Sequence, residues 1–230
     1  MPSESRAPVM PAPYRGFEIV AMAASAGGLA AVTHVCAALP PDFPVPIVLV
    51  QHLNRQHPSQ LVEVLQRRTS LAVCWGQEGM SLHASTIVVA PPDYHLLMNA
   101  DSTLALVQTP LMHFVRPAAD PLFVSVALRF GALALGVVLT GAGHDGALGA
   151  AMIKQQGGRV LAQDARSAAY RAMPEAAIAT GCVDFVLPLA HIAPALVTLV
   201  MAPAAASLFC VGIAFSKAHG SRTLRGYASL

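Results

Sequence analysis

Short, largely apolar runs of strand length alternate with longer stretches of helical spacing along most of this chain. Phe17 to Met22, Ile47 to Gln51 and Ala134 to Thr140 are strand runs of this kind, and Ala72 to Trp75, Val160 to Ala162 and Val183 to Leu187 are further candidates. Between them the pattern predicts helices over Leu29 to Leu39, Asp120 to Phe130, a segment ending near Gln156, and Ile192 to Met201. Pro58 is expected to open a helix running to about Arg68, with Leu61, Val64 and Leu65 on one face, and Pro174 to open another ending near Gly181. Gly157-Gly158 ends one helix, and Pro40, Pro41 and Pro44 interrupt the chain before the second strand.

The stretch from Thr86 to Gln108 differs. Ile87 to Ala90, Tyr94 to Met98 and Leu104 to Val107 read as short strands, the last two joined by the turn residues Asn99-Ala100-Asp101-Ser102 as an antiparallel hairpin. Continuous apolar strands alternating with helices imply an α/β fold: a doubly wound, mostly parallel sheet with helices on both faces and an antiparallel hairpin insertion. No boundary divides residues 17 to 202. Residues 1–16, with Pro2, Pro8, Pro11 and Pro13, are expected to be a flexible lead-in, and residues 203–230 a tail of unassigned role.

Composition narrows the classes. At 230 residues and 55% hydrophobic, the chain can bury a large core without disulfides or metals. The net charge of +2 and the scattered 14 Lys and Arg give no basic patch, so nucleic acid is not an expected partner. Cys36, Cys74, Cys182 and Cys210 lie far apart with no C-x-x-C, as free thiols of a reducing compartment do, and no signal-peptide layout is present. Phe185 to Ser216 contains no Asp, Glu, Lys or Arg, but Pro188, Pro194 and Pro203 interrupt it and Ala204 to Phe215 is too short to span a bilayer alone. A cytoplasmic protein is expected, touching membranes only through membrane-bound partners.

Three residues sit just past the carboxyl ends of candidate strands: Ser25 in Ala23-Ala24-Ser25-Ala26-Gly27-Gly28, His52 in Val50-Gln51-His52-Leu53, and Asp145 in Gly141-Ala142-Gly143-His144-Asp145-Gly146. Open parallel sheets form their sites at that edge. A serine hydroxyl needs an imidazole to take its proton and a carboxylate to orient that imidazole, so the set fits a serine hydrolase. The free N–H groups of Ala26 or Gly27, with a second donor near Ala142, are candidate oxyanion donors. Each element also has a plainer reading: a small-residue loop for phosphate or tight packing, a structural histidine, a turn or cap aspartate. His57, His95, His113 and His144 form no metal-ligand motif, and no metal or cofactor is expected. His144, beside Asp145, competes with His52 as base; adjacent residues in a tight loop point apart, which favours His52.

At these residues the chain resembles the CheB chemotaxis methylesterases, over about residues 17–201. The matching stretches are Ala24-Ser25-Ala26-Gly27-Gly28-Leu29, Val50 to Leu53, Leu139 to Gly146, Ala162-Gln163-Asp164, Met173-Pro174-Glu175-Ala176-Ala177 and Val186 to Leu189. The resemblance implies that residues 17–202 are a catalytic domain with Ser25, His52 and Asp145 as triad. It also implies hydrolysis of γ-glutamyl methyl esters on chemoreceptor cytoplasmic helices, with glutamine deamidation in some members. The well-known members carry a receiver domain and linker that are not in these 230 residues, so a separate receiver or methyltransferase partner is expected. Many members have Thr where this chain has Ala26. Two alternatives remain: a non-catalytic CheB-like binding module in a signalling complex, and a nucleotide-binding α/β enzyme using the Ala23 to Gly28 loop. Against the latter, G-x-G-x-x-G is missing.

Overall fold

The computed structural model describes residues 16–53 and 59–202. The expected tail, nearly all of the expected lead-in, His57, Pro58 and Cys210 lie outside the described residues. The elements follow in the order β1 (Ile19–Ala24), α1 (Gly28–Ala37), β2 (Ile47–Gln51), α2 (Leu61–Gln66), β3 (Ala72–Trp75), β4 (Thr86–Val89), β5 (His95–Met98) and β6 (Leu104–Val107). After them come α3 (Ala119–Phe130), β7 (Ala134–Val138), α4 (Ala147–Gln155), β8 (Arg159–Gln163), α5 (Ala172–Ala179), β9 (Phe185–Leu187) and α6 (Leu189–Met201).

Seven strands form one sheet in the order β3-β4-β2-β1-β7-β8-β9, and every neighbouring pair is parallel. The antiparallel pair β5-β6 stands apart as the expected hairpin. β4, whose run adjoins the hairpin in sequence, belongs to the main sheet between β3 and β2. The chain winds from β1 to β2 on one side and later returns to place β7 on the other, so β1 sits where the winding direction reverses.

Every residue of β1 is buried, with successive side chains facing opposite layers. Val20 and Met22 join Val32, Val35, Leu61, Leu65 and Leu196 beneath α1, α2 and α6. Ile19 and Ala21 face Leu96, Leu122, Phe123, Val126 and Ile153 beneath the hairpin, α3 and α4. Fully burying an aliphatic side chain contributes about 1.5–3 kcal/mol, so the two layers suffice to hold the sheet rigid.

The boundaries differ from the sequence pattern where tertiary contact outweighs local preference. β1 begins two residues later than expected and runs through Ala23 and Ala24, which read as loop. Alanine is a weak strand former, yet pairing with β2 and β7 on both sides holds these positions extended. β7 stops at Val138, because Thr140 N–H leaves the ladder for Gln163 Oε1 (2.9 Å). α2 begins at Leu61, with Ser59 outside the helix. No helix among the described residues is long and apolar enough to cross a membrane. Cys36 is buried, which pushes its thiol up to about 12, and Cys74 and Cys182 are half-buried; all three are free.

The packing of α4 on α3 depends on Gly149, where an added Cβ would lie 2.4 Å from Phe123 Cβ and 3.2 Å from Asp120 O. Gly149→Ala gains about 1 kcal/mol of helix propensity, but both obstacles are rigid. The net expectation is a loss of about 1–3 kcal/mol in urea unfolding with an unchanged m-value. Equal or greater stability would show that α3 and α4 do not pack this tightly.

Candidate active site

The parallel register brings three strand ends to one place. Ala24 pairs with Gln51, and Ala23 with Val138. The ladder continues just beyond the strands: His52 N–H donates to Ala24 O (3.0 Å), and Ser25 N–H to Thr140 O (3.0 Å). Ser25, His52 and the loop carrying Asp145 therefore meet in the crevice at the reversal point, where ligands of open α/β sheets bind.

Ser25 Oγ lies 2.9 Å from His52 Nδ1, and His52 Nε2 lies 2.7 Å from Asp145 Oδ2. Asp145 is held ionised: burial acts to raise its carboxyl, but hydrogen bonds from His52 and from the backbone of Ala119 and Asp120, with the charge of His52, bring it below the usual carboxylate range. An ionised carboxylate only accepts, so the proton on the ring sits at Nε2. Nδ1 then presents a lone pair to the Ser25 hydroxyl. The ring edges are used in the reverse sense from chymotrypsin-type triads, where Nε2 faces the serine, with the same outcome for proton transfer.

Asp145 is the buried keystone. Besides His52, its carboxylate accepts from Ala119 N–H (2.6 Å) and Asp120 N–H (3.0 Å), the first two residues of α3. Those N–H groups have no partner within the helix, and the positive end of the helix dipole favours an anion there. His95 fixes the approach to this helix end, accepting from Ala118 N–H at Nδ1 and donating from Nε2 to Pro110 O, both at 3.2 Å. With both nitrogens used this way and burial disfavouring the charged form, His95 is a neutral structural imidazole.

A second carboxylate stands behind the first. Asp120 is buried, accepts from Gly149 N–H (2.8 Å) and pairs with His113 Nε2 (2.9 Å). Burial, with the nearby charge of Asp145, raises its carboxyl, although the bonds from Gly149 and His113 act against this. The sequence pattern showed no cluster at His113, whereas the fold brings a His113 nitrogen and one oxygen each of Asp120 and Asp145 within 4.8 Å of one another. These groups hydrogen-bond to protein partners. His144 stacks edge-on to His113, with ring centroids 4.3 Å apart, whereas His52 is the imidazole in contact with Ser25 Oγ.

The turn after β1 is tight. Gly28 N–H donates to Ser25 O (2.8 Å), and Gly27 takes the left-handed φ of 74° that a side chain resists. The strain sits on Gly27; Ser25 itself is not among the positive-φ residues. Gly141 lets the two loops touch, since a Cβ there would lie 2.2 Å from Met173 Sδ and 2.8 Å from Ser25 Cβ. The N–H groups of Ala26, Gly27 and Ala142 have no protein acceptor among the described residues.

Gln51 is a site residue the sequence reading passed over as the last residue of a strand. Its buried side chain donates from Nε2 to Ser25 O (2.8 Å) and to His52 O (3.3 Å), tying the two backbones together. Its Oε1 has no hydrogen-bond partner and lies only 2.1 Å from where a Cβ on Gly28 would stand, so only glycine fits there. Beside it an open groove of about 570 Å³ runs from Ser25 between α1 and α2 past Leu29, Thr33, Val64 and Arg68. A second cavity, lined by Phe185, Leu187, His191, Pro194 and Thr198, is almost wholly apolar and lies at β9, two strands from β7.

The family model "CheB methylesterase" matches residues 20–196. The chain belongs to the CheB methylesterase family. It is 39% identical over 183 residues to a protein-glutamate methylesterase/protein-glutamine glutaminase of Maricaulis maris, covering 78% of this chain and 46% of that protein. A putative protein of the same description from Leptospira interrogans is 34% identical, with 80% of this chain and 95% of the relative covered. The Thermotoga maritima CheB methylesterase catalytic domain superposes with a TM-score of 0.78 at 32% identity, covering 81% of this chain and all of that one. The chain spans about half the length of several curated CheB relatives it matches.

The lowered carboxyl of Asp145 has a sign that can be tested. A carboxylate depressed in the folded state stabilises the fold above its unfolded value, near 3.9, and that contribution is lost as pH falls through the lower folded value. Urea unfolding should therefore show the wild type more stable than Asp145→Asn near neutrality, with the gap narrowing as pH falls below about 4. A gap independent of pH would mean that Asp145 is not a stabilised anion.

Proposed function

We propose that this CheB-family chain is a cytoplasmic protein-glutamate methylesterase that hydrolyses γ-glutamyl methyl esters on chemoreceptor helices. The observation that carries the reading is the continuous contact Ser25 Oγ–His52 Nδ1, His52 Nε2–Asp145 Oδ2. In the proposed reaction His52 Nδ1 takes the Ser25 proton as Oγ attacks the ester carbonyl. The resulting oxyanion is held by backbone N–H groups of Ala26 or Gly27 and of Ala142. His52 then gives its proton to the leaving methoxide, releasing methanol. Water adds to the acyl-Ser25 by the same relay in reverse and frees glutamate. Asp145 holds the ring in the tautomer each step needs.

These relatives are also named protein-glutamine glutaminases, and the same relay would release ammonia from a glutamine amide. With Ala26 in place of the threonine many members carry, the donor at that position is the backbone N–H alone. A receiver or methyltransferase acting as a separate partner is the proposed route of regulation. The binding-module alternative is disfavoured by a relay whose hydrogen bonds are all formed, and the nucleotide-binding one by the family membership.

Methanol release from methylated receptor is the test. Ser25→Ala should lower the rate by about 10⁴-fold or more, and a serine-reactive phosphonate should label Ser25 in the wild type only. A Ser25→Ala protein that retains the wild-type rate removes Ser25 as nucleophile.

A further inference from the structure

Met112 and Val115 pair as an antiparallel bridge, each N–H donating to the other's carbonyl at 3.2 and 2.9 Å. The loop between them is His113-Phe114, and both take positive φ, 52° and 64°. Two successive positive φ values in a two-residue loop are the signature of a type I′ turn, which ordinarily selects Asn-Gly. At two bulky residues this backbone is strained, and such strain persists only where the surroundings over-determine it.

The surroundings hold every part of this loop except one. His113 is pinned to Asp120. Arg116 pairs with Asp93 (2.7 Å) and donates to Thr109 O (2.7 Å). His95 holds Pro110 O. Phe114 alone is left out: its side chain is 93% exposed, far more than any other large hydrophobic residue among those described. A mobile loop would let such a ring fold back onto the protein; this loop holds it outward. Through His113, one nitrogen of which lies within 4.8 Å of carboxylate oxygens of Asp120 and Asp145, the turn adjoins the triad, and Phe114 is the next residue along the chain.

A glutamyl side chain is short, so a protein substrate must bring its own surface against the surroundings of the triad to reach Ser25. Leu29, Ala142, Leu148 and Tyr170 are exposed and uncharged, beside the cationic Arg68 and Arg171. Part of the contact with substrate is therefore apolar, and the surface of a helix offers grooves between its side-chain ridges to receive a knob.

We propose that Phe114 is a specificity-determining docking residue, a rigidly presented apolar knob that seats in a groove on the helical protein substrate while its glutamyl ester enters at Ser25. This inference rests on the esterase reading above. A well-presented aromatic anchor dominates the energetics of such contacts, while the backbone beneath it gains nothing from the side chain.

The test compares the full chain with Phe114→Gly and Phe114→Leu. Glycine relieves the left-handed φ, so Phe114→Gly should melt about 2–4 °C higher than the wild type. Phosphonate labelling of Ser25, which needs no docking, should be unchanged. On methylated chemoreceptor cytoplasmic domains, kcat/KM should fall by about 10- to 30-fold, mainly through KM. Phe114→Leu should retain most of the wild-type value. Wild-type demethylation by Phe114→Gly would overturn the inference. So would a parallel loss of labelling, because Phe114 would then act on the triad itself. A wild type that demethylates no receptor and takes up no phosphonate overturns the esterase reading instead.

Discussion

A buried negative charge organises this molecule. Asp145 is 1% exposed, and an isolated carboxylate in that position would be neutral. It stays ionised because three donors converge on it: the His52 ring and the first two N–H groups of α3. The helix end solvates the anion, and the anion satisfies helix N–H groups that would otherwise lack partners. That exchange sets the His52 tautomer and so decides which ring nitrogen faces Ser25. It also fixes where α3 begins, and with it the position of Asp120 against α4 and of His113 above it.

The topology explains why such an arrangement is available at this edge. β1 has β2 on one side and β7 on the other, so the loops after these three strands open into one crevice. Residues 27 and 93 positions apart in sequence become hydrogen-bond neighbours through strand register and the loops that follow it. Glycine at positions 28 and 141 then lets the loops close to contact distance, against Gln51 and against Ser25 and Met173 respectively. The site is thus built on strand ends inside a two-layer core, and among the described residues the only successive pair of non-glycine residues with positive φ, His113 and Phe114, adjoins it through the contact of His113 with Asp120.

Much of this was legible in the chain itself. Continuous apolar runs marked the parallel strands, and the positions of Ser25, His52 and Asp145 just past three of them pointed to a common edge. The hairpin showed in its turn residues. What could not be read has a common cause: it depends on partners far away in sequence. Ala23 and Ala24 become strand only because both neighbours pair with them. Gln51 reads as an ordinary strand terminus until its side chain is seen joining two backbones. Asp120 reads as a helix-start acid until Gly149 of α4 is seen donating to it, and His113 as an isolated histidine until the turn brings it to Asp120 and to His144 in the loop after β7. Met112 to Val115 carries no Asn-Gly, so nothing local announced a type I′ turn.

The most direct test of the relay is the protonation of the His52 ring, read from the nitrogen and proton resonances of the full chain labelled with ¹⁵N at histidine. The neutral ring should carry its proton on Nε2, strongly deshielded by Asp145, with an unprotonated Nδ1 facing Ser25. A proton resting on Nδ1, or an Nε2 proton signal that is the same in Asp145→Asn as in the wild type, would contradict it.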